Sequence, residues 1–307
     1  MAKFQDSRRH EHGVSPSTMP TIVESKGPPI HDRLIGDIIR ELRNLSADEV
    51  ERVLSYQREH GGRFGDAAVA LGLASSDDVL FALSQQFHYP YAPEEQRNIS
   101  SELVALHQPF SYQAESFRGI RSQLMMRLFS GDQPRHSLAV VSPEHGDGKT
   151  FFAANLAVML AQLGGRTLLV DADLRNPRLH SVFGLQNAVG LSGVLAGRAE
   201  PQVIQQVMTI PSLFVMTVGV TPPNPLELIE RPAFALLMRE LTSKFDHVLV
   251  DTPAAVYGSD GAVIASKCGA ALVVARKNES KMDYLEELVE VLKEGGAKIA
   301  GVVVNDY

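Results

Sequence analysis

The apolar positions in the second half of the chain fall into short unbroken runs, at residues 138–141, 167–170, 213–218, 248–250, 271–275 and 299–304. None alternates with polar residues, so each reads as a strand buried on both faces. Between the runs, apolar residues return every three or four positions, as Phe152, Ala153, Ala154, Leu156, Ala157 and Leu160 do after the first. Strands alternating with helices predict an α/β architecture: a mainly parallel sheet covered by helices, with ligands beyond the carboxyl ends of the strands.

The first half is patterned differently. Residues 1–29 are polar, contain Pro16, Pro20, Pro28 and Pro29, and show no apolar period, which predicts a disordered tail. Residues 30–92 repeat themselves at an offset of 29, matching Gly36 with Gly65, Leu42 with Leu71, Ser46 with Ser75, Val50 with Val79 and Gln57 with Gln86. Each copy predicts a short helix, a turn capped by Ser46 or Ser75, and a second helix with one apolar face. The pair should form a small all-α domain whose halves bury each other's apolar stripes. Pro93 and the polar residues 94–100 open a linker expected to run to 111, ahead of a domain over 112–307. A helix over 112–129 begins that domain and carries Glu115, Arg118 and Arg121 along one side.

Composition narrows the classes. Lys and Arg number 29 against 36 Asp and Glu, a net charge of −7, so no general basic surface advertises nucleic acid. Cys268 is the single cysteine, which excludes an internal disulfide and a cysteine-rich metal site. No apolar run approaches the roughly 18 residues of a membrane-spanning helix, and the N-terminus is polar where a signal peptide would be apolar. The expectation is a cytoplasmic protein that reaches a membrane only through a partner.

The first strand leads into Ser142-Pro143-Glu144-His145-Gly146-Asp147-Gly148-Lys149-Thr150 and then a helix. Unpaired N–H groups and the helix dipole make such a junction suit a phosphate. Gly146 and Gly148 allow close backbone approach, Lys149 can neutralise the β- and γ-phosphates, and Thr150 can offer its hydroxyl to magnesium. This is a P-loop in which Pro143 stands where the strict pattern has glycine. Asp171, Asp173 and Asp251 sit at strand ends on the same rim, with Asp251 the Walker B candidate. Asp171 and Asp173 are two apart on an extended chain, so their side chains should leave on one side, one for metal and one for a proton. Alternatively, Asp173 caps the following turn and Asp171 alone is functional.

Four motifs occur in a particular order: the loop at 142–150, Val170-Asp171-Ala172-Asp173-Leu174-Arg175, Pro222-Pro223-Asn224-Pro225-Leu226-Glu227-Leu228 and Val250-Asp251-Thr252-Pro253. In that order they resemble the bacterial tyrosine kinase family, over about residues 112–307. The resemblance implies a P-loop NTPase fold of the MinD/ParA-like superfamily, with ATP on Gly146, Asp147, Gly148, Lys149, Thr150 and Phe151. It implies magnesium on Thr150, Asp173 and Asp251, and catalysis by Lys149, Asp171, Asp173 and Asp251. Glu115, Arg118 and Arg121 match the family's interface helix, implying a homo-oligomer. The implied partner is the cytoplasmic segment of a membrane polysaccharide co-polymerase, and the implied function is an autokinase regulating exopolysaccharide chain length and export.

Two features qualify this picture. MinD and ParA proteins carry a lysine five residues before the P-loop lysine, where this chain has Glu144, which disfavours their sandwich dimer. Family autokinases usually end in a tyrosine-rich tail, whereas Asn305-Asp306-Tyr307 directly follows the last strand here. Tyr307 is then the candidate acceptor, and a nucleotide-gated assembly ATPase without tyrosine transfer is the alternative. The repeat domain resembles the N-terminal domain of type II secretion ATPases, as in the EpsG-type chain-length-determinant subgroup. That resemblance brings in cyclic di-GMP, for which Arg63-Phe64-Gly65 and Gln86 follow the pattern. Arg33-Leu34-Ile35-Gly36 has one residue more, and a docking module without a small ligand is the other reading.

Overall fold

The computed structural model describes residues 34–86, 99–129, 136–198 and 202–306. The expected tail at 1–29, Arg33 and Tyr307 lie outside the described residues.

Four helices come first: α1 (Ile35–Arg43), α2 (Ala47–His60), α3 (Phe64–Ala70) and α4 (Ser76–Gln86). The repeated serines do the same work twice. Ser46 Oγ accepts the Glu49 N–H at 3.3 Å while the Glu49 carboxylate accepts the Ser46 N–H at 2.8 Å. Ser75 and Asp78, 29 residues on, exchange the same pair of bonds at 3.1 and 2.6 Å. Such reciprocal caps satisfy N–H groups that the helix itself leaves unpaired. Ile38 and Ile39 of α1 pack with Ala82 of α4, and Val53 of α2 packs with Ala67 and Ala68 of α3, so each pairing crosses from one copy to the other.

The chain is packed against the α/β layers before the expected linker ends at 111. Helix α5 (Val104–His107) follows Leu103, and Leu103, Val104 and Leu106 are buried. Four consecutive apolar residues among polar ones lie too short to show a period, yet they suffice to seat one helical turn. Helix α6 (Tyr112–Arg127) follows, with Ser111 Oγ accepting the Ala114 N–H at 3.1 Å as its cap.

The sheet elements are β1 (Ser137–Val141), α7 (Lys149–Ala161), β2 (Thr167–Asp171), α8 (Leu179–Val182), α9 (Leu191–Leu195), β3 (Ile204–Gln206) and β4 (Leu213–Met216). They continue as α10 (Pro225–Glu230), α11 (Pro232–Lys244), β5 (His247–Asp251), α12 (Asp260–Cys268), β6 (Gly269–Arg276), α13 (Met282–Glu294) and β7 (Lys298–Asn305). The described strands run in the order β3-β4-β2-β5-β1-β6-β7, all pairings parallel except β3 with β4. The three-residue β3 is an addition to the expected set. Its Ile-Gln-Gln sequence has no pattern of its own, and it exists by pairing with β4.

Adjacent strand residues point to opposite faces, and both faces are covered. Leu138, Val140, Leu169 and Leu249 join α5, α6 and α7 in one core; Ala139, Val141, Leu168 and Val250 join α11, α12 and α13 in the other. The three central strands β2, β5 and β1 therefore end side by side at the mouth of α7.

Candidate nucleotide site

Gly148 caps α7 with φ 94°, a left-handed conformation that favours glycine, and a Cβ there would also displace the end of the Asn305 side chain. Beside this turn lies a cavity of about 290 Å³, lined by Gly146, Gly148, Lys149, Thr150, Phe151 and Asp173, among others. Lys149 is 6% exposed and reaches back along the loop, its Nζ donating to Ser142 Oγ at 3.0 Å. Burial lowers its pKa, opposed by the nearby Asp251, Asp173 and Asp147 carboxylates.

The register of β2 and β5 sets Asp171 opposite Asp251. Both are fully buried, and burial raises both carboxyl pKa values, Asp251 to about 7 even though the Thr150 hydroxyl and Lys149 pull it down. Thr150 Oγ1 donates to Asp251 Oδ2 at 2.7 Å, while Asp251 Oδ1 is buried with no partner among the described residues. An orphaned buried acceptor beside a P-loop hydroxyl fits a magnesium ion that arrives with phosphates and water. Among the described residues no group of three or more His, Cys, Asp or Glu could hold a metal by itself.

Asp171 and Asp173 serve different neighbours. Strand β2 ends at Asp171, the Ala172 N–H still donates to the Asp251 carbonyl at 2.9 Å, and the bend begins at Leu174. Asp171 Oδ1 accepts the Asp173 N–H at 3.2 Å, and its Oδ2 accepts the Leu179 N–H at 3.1 Å. Asp173 lines the cavity and also caps the turn, its Oδ1 accepting N–H groups of Arg175 and Asn176 at 3.1 and 2.8 Å.

Asp147 is likewise turned inward. Its carboxylate accepts the Glu144 N–H at 2.8 Å and the Ser280 hydroxyl at 2.7 Å, bracing the loop from beneath. Glu115 and Arg118 pair within α6 at 2.6 Å, while Arg121 Nη1 donates to the Met159 carbonyl at the end of α7, 2.9 Å away.

A match to the CobQ/CobB/MinD/ParA nucleotide-binding domain covers residues 138–307. The tyrosine-protein kinase YwqD of Bacillus subtilis is 32% identical over 210 residues, 68% of this chain and 86% of that protein. The chain belongs to the bacterial tyrosine kinase family. Tyrosine-protein kinase Ptk of Acinetobacter johnsonii is 36% identical over 193 residues, and the matched part spans 62% of this chain but only 26% of that relative. The kinase domain of the Escherichia coli tyrosine kinase ETK superposes with a TM-score of 0.63 at 30% identity, over 70% of this chain and 84% of that one. A MinD/ParA-type P-loop fold implies binding of a nucleotide with magnesium. The comparisons lend nothing to cyclic di-GMP in the helical repeat.

Glu102, Asn176, Arg178, Arg276 and Asn305 also line the cavity, and sequence reasoning passed over all five. Asn176 alone carried a signal, since it lies in the loop directly after the Asp171-Ala172-Asp173 motif. Glu102 and Asn305 come from ends of the described α/β unit far from any motif; Asn155 of α7 holds the first in place and strand order brings in the second. Among the described residues no helix is long and apolar enough to cross a membrane.

Proposed function

We propose that the chain is an ATP-dependent protein tyrosine kinase acting on copies of itself, and that it regulates exopolysaccharide chain length and export with a membrane co-polymerase. The observation that carries this is the convergence of the P-loop, the Thr150–Asp251 pair and Asp173 on one cavity within a kinase-family fold. The loop amides around Gly146 and Gly148 bind the phosphates, and Lys149 moves from Ser142 to the β- and γ-phosphates. Thr150 and Asp251 would hold magnesium, which would supply neutralisation of the charge on the transferring group. An incoming tyrosine hydroxyl attacks the γ-phosphorus, the bond to the bridging oxygen breaks, ADP leaves, and the hydroxyl proton passes to Asp173. Asp171 serves by holding the turn that carries Asp173. The helical repeat acts as a docking module, and Glu115, Arg118 and Arg121 meet a second copy.

The test is incorporation of γ-labelled phosphate with magnesium, with and without the co-polymerase's cytoplasmic segment, in wild type, Lys149→Met and Tyr307→Phe. Label on tyrosine that vanishes in Lys149→Met supports the kinase; its further loss in Tyr307→Phe assigns the acceptor. ATP binding that needs Lys149, without tyrosine label in either condition, replaces the kinase by a nucleotide-gated assembly ATPase.

A further inference from the structure

Glu102 and Arg178 meet in the wall of the cavity that Lys149 and Thr150 also line. Arg178 Nη2 donates to both Glu102 carboxylate oxygens at 3.0 Å. The two side chains are 55% and 40% exposed, so water competes for the pair and its intrinsic strength is small. Their backbones, by contrast, are firmly placed. The Glu102 carbonyl accepts from Nδ2 of Asn155, a fully buried residue of α7, whose Oδ1 accepts the Ala105 N–H; both bonds are 2.9 Å. Arg178 precedes Leu179, whose N–H is held by the buried Asp171, and follows the turn capped by Asp173.

A carboxylate besides Asp173 is thus fixed in the wall of a cavity whose glycine-loop amides and Lys149 suit anions. Unpaired, it would repel every phosphate that enters. Its guanidinium partner has a planar fork that suits phosphate oxygens as well as carboxylate, and a terminal phosphate brings more charge than Glu102. We propose that Glu102 and Arg178 form a latch that selects for the triphosphate: ATP draws Arg178 from Glu102 onto its terminal phosphate, and ADP, which lacks that group, does so less. Arg178 is then a specificity-determining residue and Glu102 its built-in competitor. This rests on the nucleotide site proposed above.

The experiment measures dissociation constants of fluorescent ATP and ADP analogues, with magnesium, on the full chain. Wild type is compared with Glu102→Gln, Arg178→Gln, Arg178→Lys and Lys149→Met, with melting temperatures alongside. Glu102→Gln should tighten ATP about threefold to fivefold, the range of a half-exposed ion pair, and tighten ADP less. Arg178→Gln should weaken ATP by a similar factor and narrow the ATP-to-ADP ratio, with Arg178→Lys recovering part of it. Equal shifts for both nucleotides, or unchanged affinities with lowered melting temperatures, would show an ion pair that merely staples two loops and would overturn the latch. A wild type that binds neither nucleotide, or a Lys149→Met that binds as wild type, would instead overturn the nucleotide site itself and the latch with it.

Discussion

Asp78 in the helical repeat and Asp251 at the end of β5 are both withdrawn from water, at 7% and 0% exposure, but their surroundings differ. Asp78 Oδ2 accepts Arg43 Nε at 2.7 Å, the Ser75 N–H at 2.6 Å and the Ser75 hydroxyl at 2.7 Å. Burial pushes its pKa up, yet these donors outweigh burial and leave it below the ordinary 3.8. Asp251 receives the Thr150 hydroxyl on one oxygen and has its other oxygen unpartnered, and burial takes it to about 7. A buried carboxylate with all its partners in the chain holds the fold together. One that lacks them is tolerated where a cation from outside completes it.

The largest effect that would sharpen this contrast is on ligand binding. Asp251→Asn should weaken magnesium-dependent ATP binding by about tenfold to a hundredfold, while leaving the magnesium-free melting temperature equal or higher. Calorimetric titration with and without magnesium, beside thermal melts, reads both. A clear drop in magnesium-free stability would place Asp251 with Asp78 as a structural carboxylate.

Asp78→Ala should do the reverse. Removing the carboxylate that accepts Arg43 Nε and the Ser75 N–H and hydroxyl is expected to cost the helical repeat about 1–3 kcal/mol, visible as faster hydrogen exchange across residues 35–86, with ATP affinity unchanged. Next in size is Gly65→Ala, whose new methyl would stand 2.7 Å from Val79 Cγ1 where α3 crosses α4. It should cost about 1–2 kcal/mol by the same exchange readout, and a second change, Val79→Ala, should return part of it.

The smallest effect is on pH. Because the folded pKa of Asp78 lies below its ordinary value, the unfolded chain binds more protons near that value. The stabilisation is therefore complete above pH 3.8 and is lost as pH falls through the lower folded value. Melting curves between about pH 6 and 3 should show wild type losing its advantage over Asp78→Ala towards the acid end. An advantage independent of pH would mean that the charge of Asp78 is not what stabilises the repeat.

Much of this was legible along the chain. Strands β1, β2, β4, β5 and β6 announced themselves because burial on both faces removes polar alternation, and the P-loop because a strand, a glycine turn and a helix are contiguous; β7 reads as apolar too, yet as an edge strand it leaves Val302 and Val304 exposed. The serine caps recur because capping is a local contact, three residues long. Asp251 and Thr150 could be named from their motifs, although 101 positions separate them. Asp171 was legible from its motif too, but not the N–H groups of Asp173 and Leu179 that it holds, which the folded loop brings to it.

What the sequence determined by itself, then, is what neighbouring residues decide: the strands, the helices, the repeat at 29 and the glycine loop. What only the tertiary structure decided is which side chain each carboxylate meets. Asp147 finds Ser280 at a separation of 133 residues, Glu102 finds Arg178 at 76, and Arg43 finds Asp78 at 35. A local pattern states that a residue is buried or polar. The partner that satisfies it, or its absence, is set by the order in which strands and helices are laid side by side.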